Sequence, residues 1–313
     1  MSVDESSTRP ARADTVRLES VVVGVDFAAP SIAAVDWVRE HFAPEAECLV
    51  MHAIDIPEPP RFLRGAFPGR QEVLRSAREG AAARLARLGE ARKWGPVRLD
   101  VREGRAEDAL SRAVEDARAD MVVVGEHAHP RGMWSTLGST AEALVRTATV
   151  PVLLVRSARE RAPQRILAAI DDSQRAGDVL GWARGLARRF EAHVTASHVF
   201  QPIFLNAARA VSGLEASATL EQEQLEQTEE WLDQLLRDAG FPEGEATLQV
   251  MPGDPVSALV AAQRGGDFDM VVIGSRGAGG VGRRLLGSVA SGVLRGATCP
   301  VLVVSAAAET DAG

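Results

Sequence analysis

Residues 120–125 read Asp120-Met121-Val122-Val123-Val124-Gly125, and residues 269–274 read Asp269-Met270-Val271-Val272-Ile273-Gly274. Each is a short, mostly β-branched run closed by glycine, the composition of a strand buried on both faces of a parallel sheet. Two such matching strings, roughly 150 residues apart, are the mark of an internal repeat. Working outward, Gly138-Ser139 matches Gly287-Ser288, and Val150-Pro151-Val152-Leu153-Leu154-Val155 matches Cys299-Pro300-Val301-Leu302-Val303-Val304. Upstream, Val21-Val22-Val23-Gly24-Val25-Asp26 aligns with Ile166-Leu167-Ala168-Ala169-Ile170-Asp171. The chain is a duplication.

Each copy alternates strand and helix. Apolar runs near 20–26, 47–54, 97–102, 120–125 and 151–155 predict strands, with helices near 31–42, 71–93, 106–118 and 138–147. The second copy predicts strands near 165–171, 193–199, 246–250, 269–274 and 300–304, and helices near 174–190, 213–239, 254–264 and 287–296. In 213–239, Leu225, Leu232 and Leu236 share one face among glutamates, and Gly240 and Pro242 stop the helix. Strand–helix alternation with apolar strands predicts an α/β fold: two repeated doubly wound, five-stranded parallel-sheet domains, Rossmann-like, with strand order 3-2-1-4-5. The units span 18–156 and 164–306, joined by a polar stretch from Arg156 to Pro163, with flexible tails at 1–17 and 307–313.

Composition narrows the function. The 313 residues carry a formal charge of −8, so there is no basic footprint for nucleic acid. No apolar run is long enough for a membrane span, and residues 1–17 lack the apolar core of a secretory signal. Lys93 is the sole lysine, which excludes a P-loop. Cys48 and Cys299 fall at non-matching places in the two copies; this argues against a disulfide framework and predicts a cytoplasmic protein.

In a doubly wound sheet, ligands bind beyond the carboxyl ends of the strands, where the strand order reverses. That point lies between the first strand, ending at Asp26 or Asp171, and the fourth, ending at Gly125 or Gly274. After Gly274 comes Ser275-Arg276-Gly277-Ala278-Gly279-Gly280-Val281-Gly282-Arg283-Arg284-Leu285-Leu286-Gly287-Ser288. Glycines let a backbone approach phosphate oxygens, and a helix opening at Gly287-Ser288 would present free N–H groups and a positive dipole end to an anion. Arg276, Arg283 and Arg284 could add charge. The plainer alternative is a turn followed by a serine N-cap.

Gly274-x2-Gly277-x9-Gly287-Ser288 resembles the G-x2-G-x9-G-(S/T) nucleotide signature of the universal stress protein family. Ile170-Asp171-Asp172-Ser173 resembles that family's first-strand aspartate, and Cys299–Val304 its last strand. The resemblance covers roughly 18–155 and 164–305, as a tandem pair. It implies a stress-response or signalling protein that binds ATP, ADP or AMP, with Mg2+ as an optional companion. By it, Asp171 contacts the ribose, Val199 offers its backbone to the adenine edge, and Gly274, Gly277, Gly287, Ser288 and Val289 wrap the ribose and phosphates; Ala169 and Arg276 complete the candidate nucleotide-binding set. It also implies pairing through the fifth strands, hence an internal pseudo-dimer, with a further homodimer and a protein partner left open.

The first copy departs from this pattern. Ala128 stands where the second glycine belongs, and its methyl opposes close phosphate approach. Asp26, Ala53, Gly125, Gly138, Ser139 and Thr140 remain as a weaker candidate set, with His127, His129 or Arg131 to compensate.

Other readings fare worse. Gly277-x-Gly279-x-x-Gly282 matches the dinucleotide fingerprint, but it follows a fourth strand, and no Asp or Glu occurs between Gly282 and Glu309. Electron-transfer flavoproteins share the fold class, without a positive sign of flavin here. A metal at Glu126-His127-x-His129 lacks an obvious third ligand, and Asp171-Asp172 would face apart at a strand end. His52 and His198, at equivalent strand ends, read as packing carried along by the repeat. Arg61, Phe62, Leu63, Arg64 and Phe67 read as a solvated loop or a partner patch. Hydrolysis needs a positioned base and usually a metal clamp, and no catalytic residue stands out near Gly274–Ser288. Binding with little or no turnover is therefore favoured over weak ATPase or phosphotransferase activity, and over an empty scaffold.

Overall fold

The computed structural model describes residues 18–42, 46–57, 69–126, 138–156, 161–200, 218–277 and 286–305, with the backbone alone at 218–221. In the first half, β1 (Ser20–Gly24), β2 (Glu47–Ile54), β3 (Arg98–Glu103), β4 (Met121–Gly125) and β5 (Val152–Val155) alternate with α1 (Ala29–His41), α2 (Arg70–Arg92), α3 (Ala106–Ala117) and α4 (Ser139–Thr147). In the second half, β6 (Arg165–Ile170), β7 (His193–Phe200), β8 (Ala246–Pro252), β9 (Met270–Gly274) and β10 (Val301–Val304) alternate with α5 (Ala176–Phe190), α6 (Ala218–Asp238), α7 (Pro255–Arg264) and α8 (Ser288–Gly296). Sequence-predicted boundaries fall within two residues of these, apart from 213–217, which lie outside the described residues.

All the strands join one ten-stranded sheet in the order β3-β2-β1-β4-β5-β10-β9-β6-β7-β8. Within each half the pairings are parallel, in the order 3-2-1-4-5. The halves meet where β5 and β10 pair antiparallel, with Leu153 opposite Leu302. That junction is an internal pseudo-dimer. Strand residues alternate between two apolar layers: Val21, Val23, Met270 and Val272 face the layer containing α1 and α5 side chains. Val22, Val122, Val271 and Ile273 face the layer built with α3, α4, α7 and α8. Both faces of the central strands are therefore dry, which is why their sequences read as unbroken apolar runs.

Two arginines cross the junction. On one face Arg189 of α5 donates from Nε to the carbonyl of His41 at 3.1 Å and from a terminal nitrogen to that of Phe42 at 2.6 Å, closing the C-terminus of α1. Phe190 packs its ring against Phe42, centroids 5.5 Å apart, beside Trp37. On the other face Arg156, just after β5, donates to the Leu294 and Ala297 carbonyls at the end of α8, the latter at 2.8 Å. It also pairs with Glu126 at 2.8 Å.

Arg156 is a correction to the sequence reading, which placed it at the start of a polar linker; it is 2% exposed. A helix end offers unpaired carbonyls, and a buried guanidinium satisfies several at once. Burial pulls its pKa below the usual arginine range, with the Glu126 carboxylate opposing that shift. A second difference lies in β3, expected from its apolar residues to be a buried strand. It is an edge strand in which, of its residues, Val101 alone is buried, while Arg102 pairs with Asp100 at 2.7 Å. Charged edges discourage pairing with other sheets.

Candidate functional site

β6 and β9 are neighbours although a hundred residues separate them, and beyond their carboxyl ends the sheet order reverses. A crevice of about 430 Å³ opens there. The structure brings nine of the second-half candidates to it. Ala169 and Asp171 come from the end of β6, and Val199 from β7. Gly274, Arg276 and Gly277 follow β9, and Gly287, Ser288 and Val289 open α8.

Asp171 is held from one side only. Its Oδ1 accepts from the Ser173 amide at 3.2 Å and the Ser173 hydroxyl at 2.6 Å, an Asx turn that leads the chain toward α5. No described group donates to Oδ2, which faces Gly277. A Cβ built on residue 277 would lie 2.6 Å from that oxygen, so a larger residue there would push the Asp171 carboxylate aside. The turn-forming role and an outward-facing carboxylate oxygen thus coexist in one side chain.

The base of the glycine-rich segment is pinned by the Gly287 amide, which donates to the Ser275 carbonyl at 2.9 Å. Gly279, Gly280, Gly282, Arg283 and Arg284 lie outside the described residues. Gly287, not Ser288, occupies the N-cap of α8, and no side chain caps the helix. The alternative of a serine cap is thereby replaced: Ser288 is the first helical residue. The amides of Ser288, Val289 and Ala290 are left without intrahelical acceptors, and the first turn carries no acidic residue to offset the helix dipole. Neighbouring α7 is built differently. There Asp254 accepts from the Ser257 amide at 2.9 Å, and that bond holds its carboxyl below the usual range.

Sequence reasoning missed several walls of the crevice. Val179 of α5, Ser197 of β7, Pro255 and Leu259 of α7, and Ile273 of β9 also line it. Pro255 and Leu259 sit four residues apart at the start of α7, a spacing that puts both on one helix face and could have been read from the strand–helix register.

The first-half counterpart is smaller, about 100 Å³. Asp26, Ala53, Gly125, Gly138 and Thr140 line it, whereas Ser139 does not. Asp26 is exposed, and its Oδ1 takes the Ser31 hydroxyl at 2.5 Å and the Ala28 amide at 2.9 Å. The two strand ends also differ in how closely their surroundings pack. The backbone at Pro30 lies 2.5 Å from where a Cβ of Gly125 would stand, whereas the nearest atom to that position at Gly274 is 3.3 Å away.

His127, Ala128, His129 and Arg131 lie outside the described residues, as do Arg61, Phe62, Leu63, Arg64 and Phe67. Glu126, one member of the considered metal cluster, is paired with Arg156. Among the described residues no group of three or more His, Cys, Asp or Glu side chains is placed to hold a metal ion. His52 and His198 play one role in both halves: each Nδ1 donates to the last backbone carbonyl region of the first strand, at Val25 (2.7 Å) and Ile170 (2.9 Å). Neither Cys48 nor Cys299 forms a disulfide and both are buried; burial pushes the Cys48 thiol up to about 11. No described helix is long and apolar enough to cross a membrane.

Fold and crevice together define a duplicated, doubly wound α/β protein whose cleft lies at the switch point of each half. The universal stress protein family model matches residues 18–156 and again 163–305, and the chain belongs to that family. A universal stress protein of Mycolicibacterium smegmatis is 30% identical over 300 residues, covering 91% of this chain and 96% of the relative. A Mycobacterium tuberculosis universal stress protein is 24% identical over 296 residues, covering 90% and 95%. The crystal structure of a universal stress protein from Archaeoglobus fulgidus superposes with a TM-score of 0.64 at 19% identity, covering 91% of this chain and 98% of that one. Likeness at that level speaks for the fold.

Proposed function

We propose that this chain binds an adenine nucleotide (ATP, or ADP or AMP) in the second-half crevice and acts as a stress-response or signalling module with little or no turnover. The observation that carries the reading is the pairing of two features across one cleft. The outward oxygen of Asp171 faces Gly277, and the uncapped N-terminus of α8 opens onto the same space. A carboxylate at a switch point accepts hydrogen bonds from ribose hydroxyls, and open helix amides donate to negative oxygens.

In this reading Asp171 orients the ribose, while Ala169 and the backbone of Val199 flank the base. Gly274 and Gly277 let the chain approach closely. Gly287, Ser288 and Val289 bring their amides to the phosphates, with Arg276 adding charge. A Mg2+ ion would be held chiefly by the phosphates, because the described residues offer no carboxylate cluster for it.

Little or no turnover is part of this reading. Asp171 has one oxygen committed to Ser173, and the Nδ1 of His198 is committed to Ile170. Neither side chain is assigned as a base for an attacking water, and hydrolysis depends on such positioning. The test is calorimetric titration of the full chain with ATP, alongside steady-state phosphate release. Saturable binding with negligible release supports the reading. Absence of binding and of any heat protection by ATP removes it.

A further inference from the structure

We propose that Arg156, contributed by the first half, is a positioning residue for the phosphate-facing end of the second-half site, acting through helix α8; this rests on the nucleotide reading above. α8 is nine residues long. Its N-terminus opens on the crevice, and its other end is where Arg156 lodges, donating to the carbonyls of Leu294 and Ala297. So short a helix has little of its own to fix its axis, and what clamps one end also aims the other. Arg156 is itself fixed: it is buried, and Glu126, the residue after β4, accepts from it at 2.8 Å.

The device does not recur at the equivalent positions. The residue equivalent to Arg156 in the repeat is Ser305, and the equivalent of Glu126 is Ser275. The Ser305 hydroxyl donates to the Val150 carbonyl at 2.8 Å. Thus the half with the complete glycine motif has its helix clamped by a guanidinium, and the half with Ala128 does not. Asp171, Ala169 and Val199, which would hold the nucleoside, stand on strands that Arg156 does not touch. Loosening α8 therefore weakens the hold on phosphates and leaves the nucleoside contacts in place.

The experiment compares wild type, Arg156→Met and Arg156→Lys as full-length chains, titrated with ATP and separately with adenosine. Amide hydrogen exchange is followed across 288–297 and 139–147. Arg156→Met raises the Kd for ATP by about ten-fold or more, since small misplacements of binding groups carry large penalties, while adenosine shifts less than about two-fold. Exchange quickens in α8 and not in α4. Arg156→Lys, which keeps the charge and can serve one carbonyl, falls between and covers the case in which the methionine variant fails to fold. A wild type that binds ATP beside an Arg156→Met chain that binds it equally well overturns the proposal, as does an equal loss of ATP and adenosine. Absence of ATP binding by wild type removes the nucleotide reading; the positioning of α8 is then decided by exchange alone, and unchanged protection overturns it.

Discussion

A methyl group on residue 277 would stand 2.6 Å from Oδ2 of Asp171, although the two residues belong to different strand ends more than a hundred positions apart. Gly277 is exposed, so the crowding comes from the carboxylate, which can be displaced, and not from core packing. The expected outcome for Gly277→Ala is a chain of nearly unchanged stability, within about 0.5 kcal/mol as for ordinary surface changes, that has lost ATP affinity. Paired urea denaturation and calorimetric titration check both parts.

Asp171→Asn separates the two jobs of this side chain. Asparagine retains the turn-forming oxygen for Ser173 but removes the charge facing the crevice. A hydrogen bond to a charged group contributes about 1.5–3 kcal/mol, so nucleotide affinity should fall about 10- to 100-fold. Asp26→Asn, made in the smaller first-half pocket, should change the binding isotherm far less.

Helix packing beside the crevice sets a third expectation. A Cβ on Gly292 of α8 would lie 2.5 Å from Cγ1 of Val256 on α7, and one on Gly296 would lie 2.7 Å from Val260. Valine is stiff and cannot swing aside. Gly292→Ala should therefore destabilise the protein by about 1–3 kcal/mol through overpacking, despite the roughly 1 kcal/mol that alanine gains over glycine in a helix. A lowered urea midpoint with unchanged slope is the signature.

Cys48 supplies a pH test. Its thiol is raised from 9.0 to about 11 in the folded chain by burial, with Arg39 opposing. The unfolded chain ionises first, so the contribution of Cys48 is complete below about pH 9 and lost as pH rises toward 11. Between those values wild type should lose stability more steeply than Cys48→Ala, measured as urea midpoints on a pH series. Alkylation at pH 8 should leave Cys48 unlabelled until the protein unfolds.

The duplication, the sheet order and the convergence of Asp171 with the glycine segment were legible because buried parallel strands have unbroken apolar sequences and each half repeats them. β3 was less legible, since Leu99 and Val101 suggest burial while their charged neighbours decide the edge position. Arg156 could not be read at all. A single arginine beside a polar segment looks solvated, and its burial depends on carbonyls of Leu294 and Ala297, 138 and 141 residues away in the chain. The same holds for the walls of the crevice from α7, which only tertiary packing brings to the mouth. Gly287 as the cap in place of Ser288 reflects a one-residue shift that local pattern does not resolve.

The antiparallel pairing of β5 with β10 has a consequence for how such a protein changes over time. In an assembly of two identical subunits every substitution strikes both clefts at once, and dilution can separate them. Here the partners are stretches of a single polypeptide, so they stay together in a fixed ratio at any dilution. Each cleft can then drift alone, which is how Ala128 and Ser305 could arise opposite Gly277 and Arg156 without costing the molecule its better pocket.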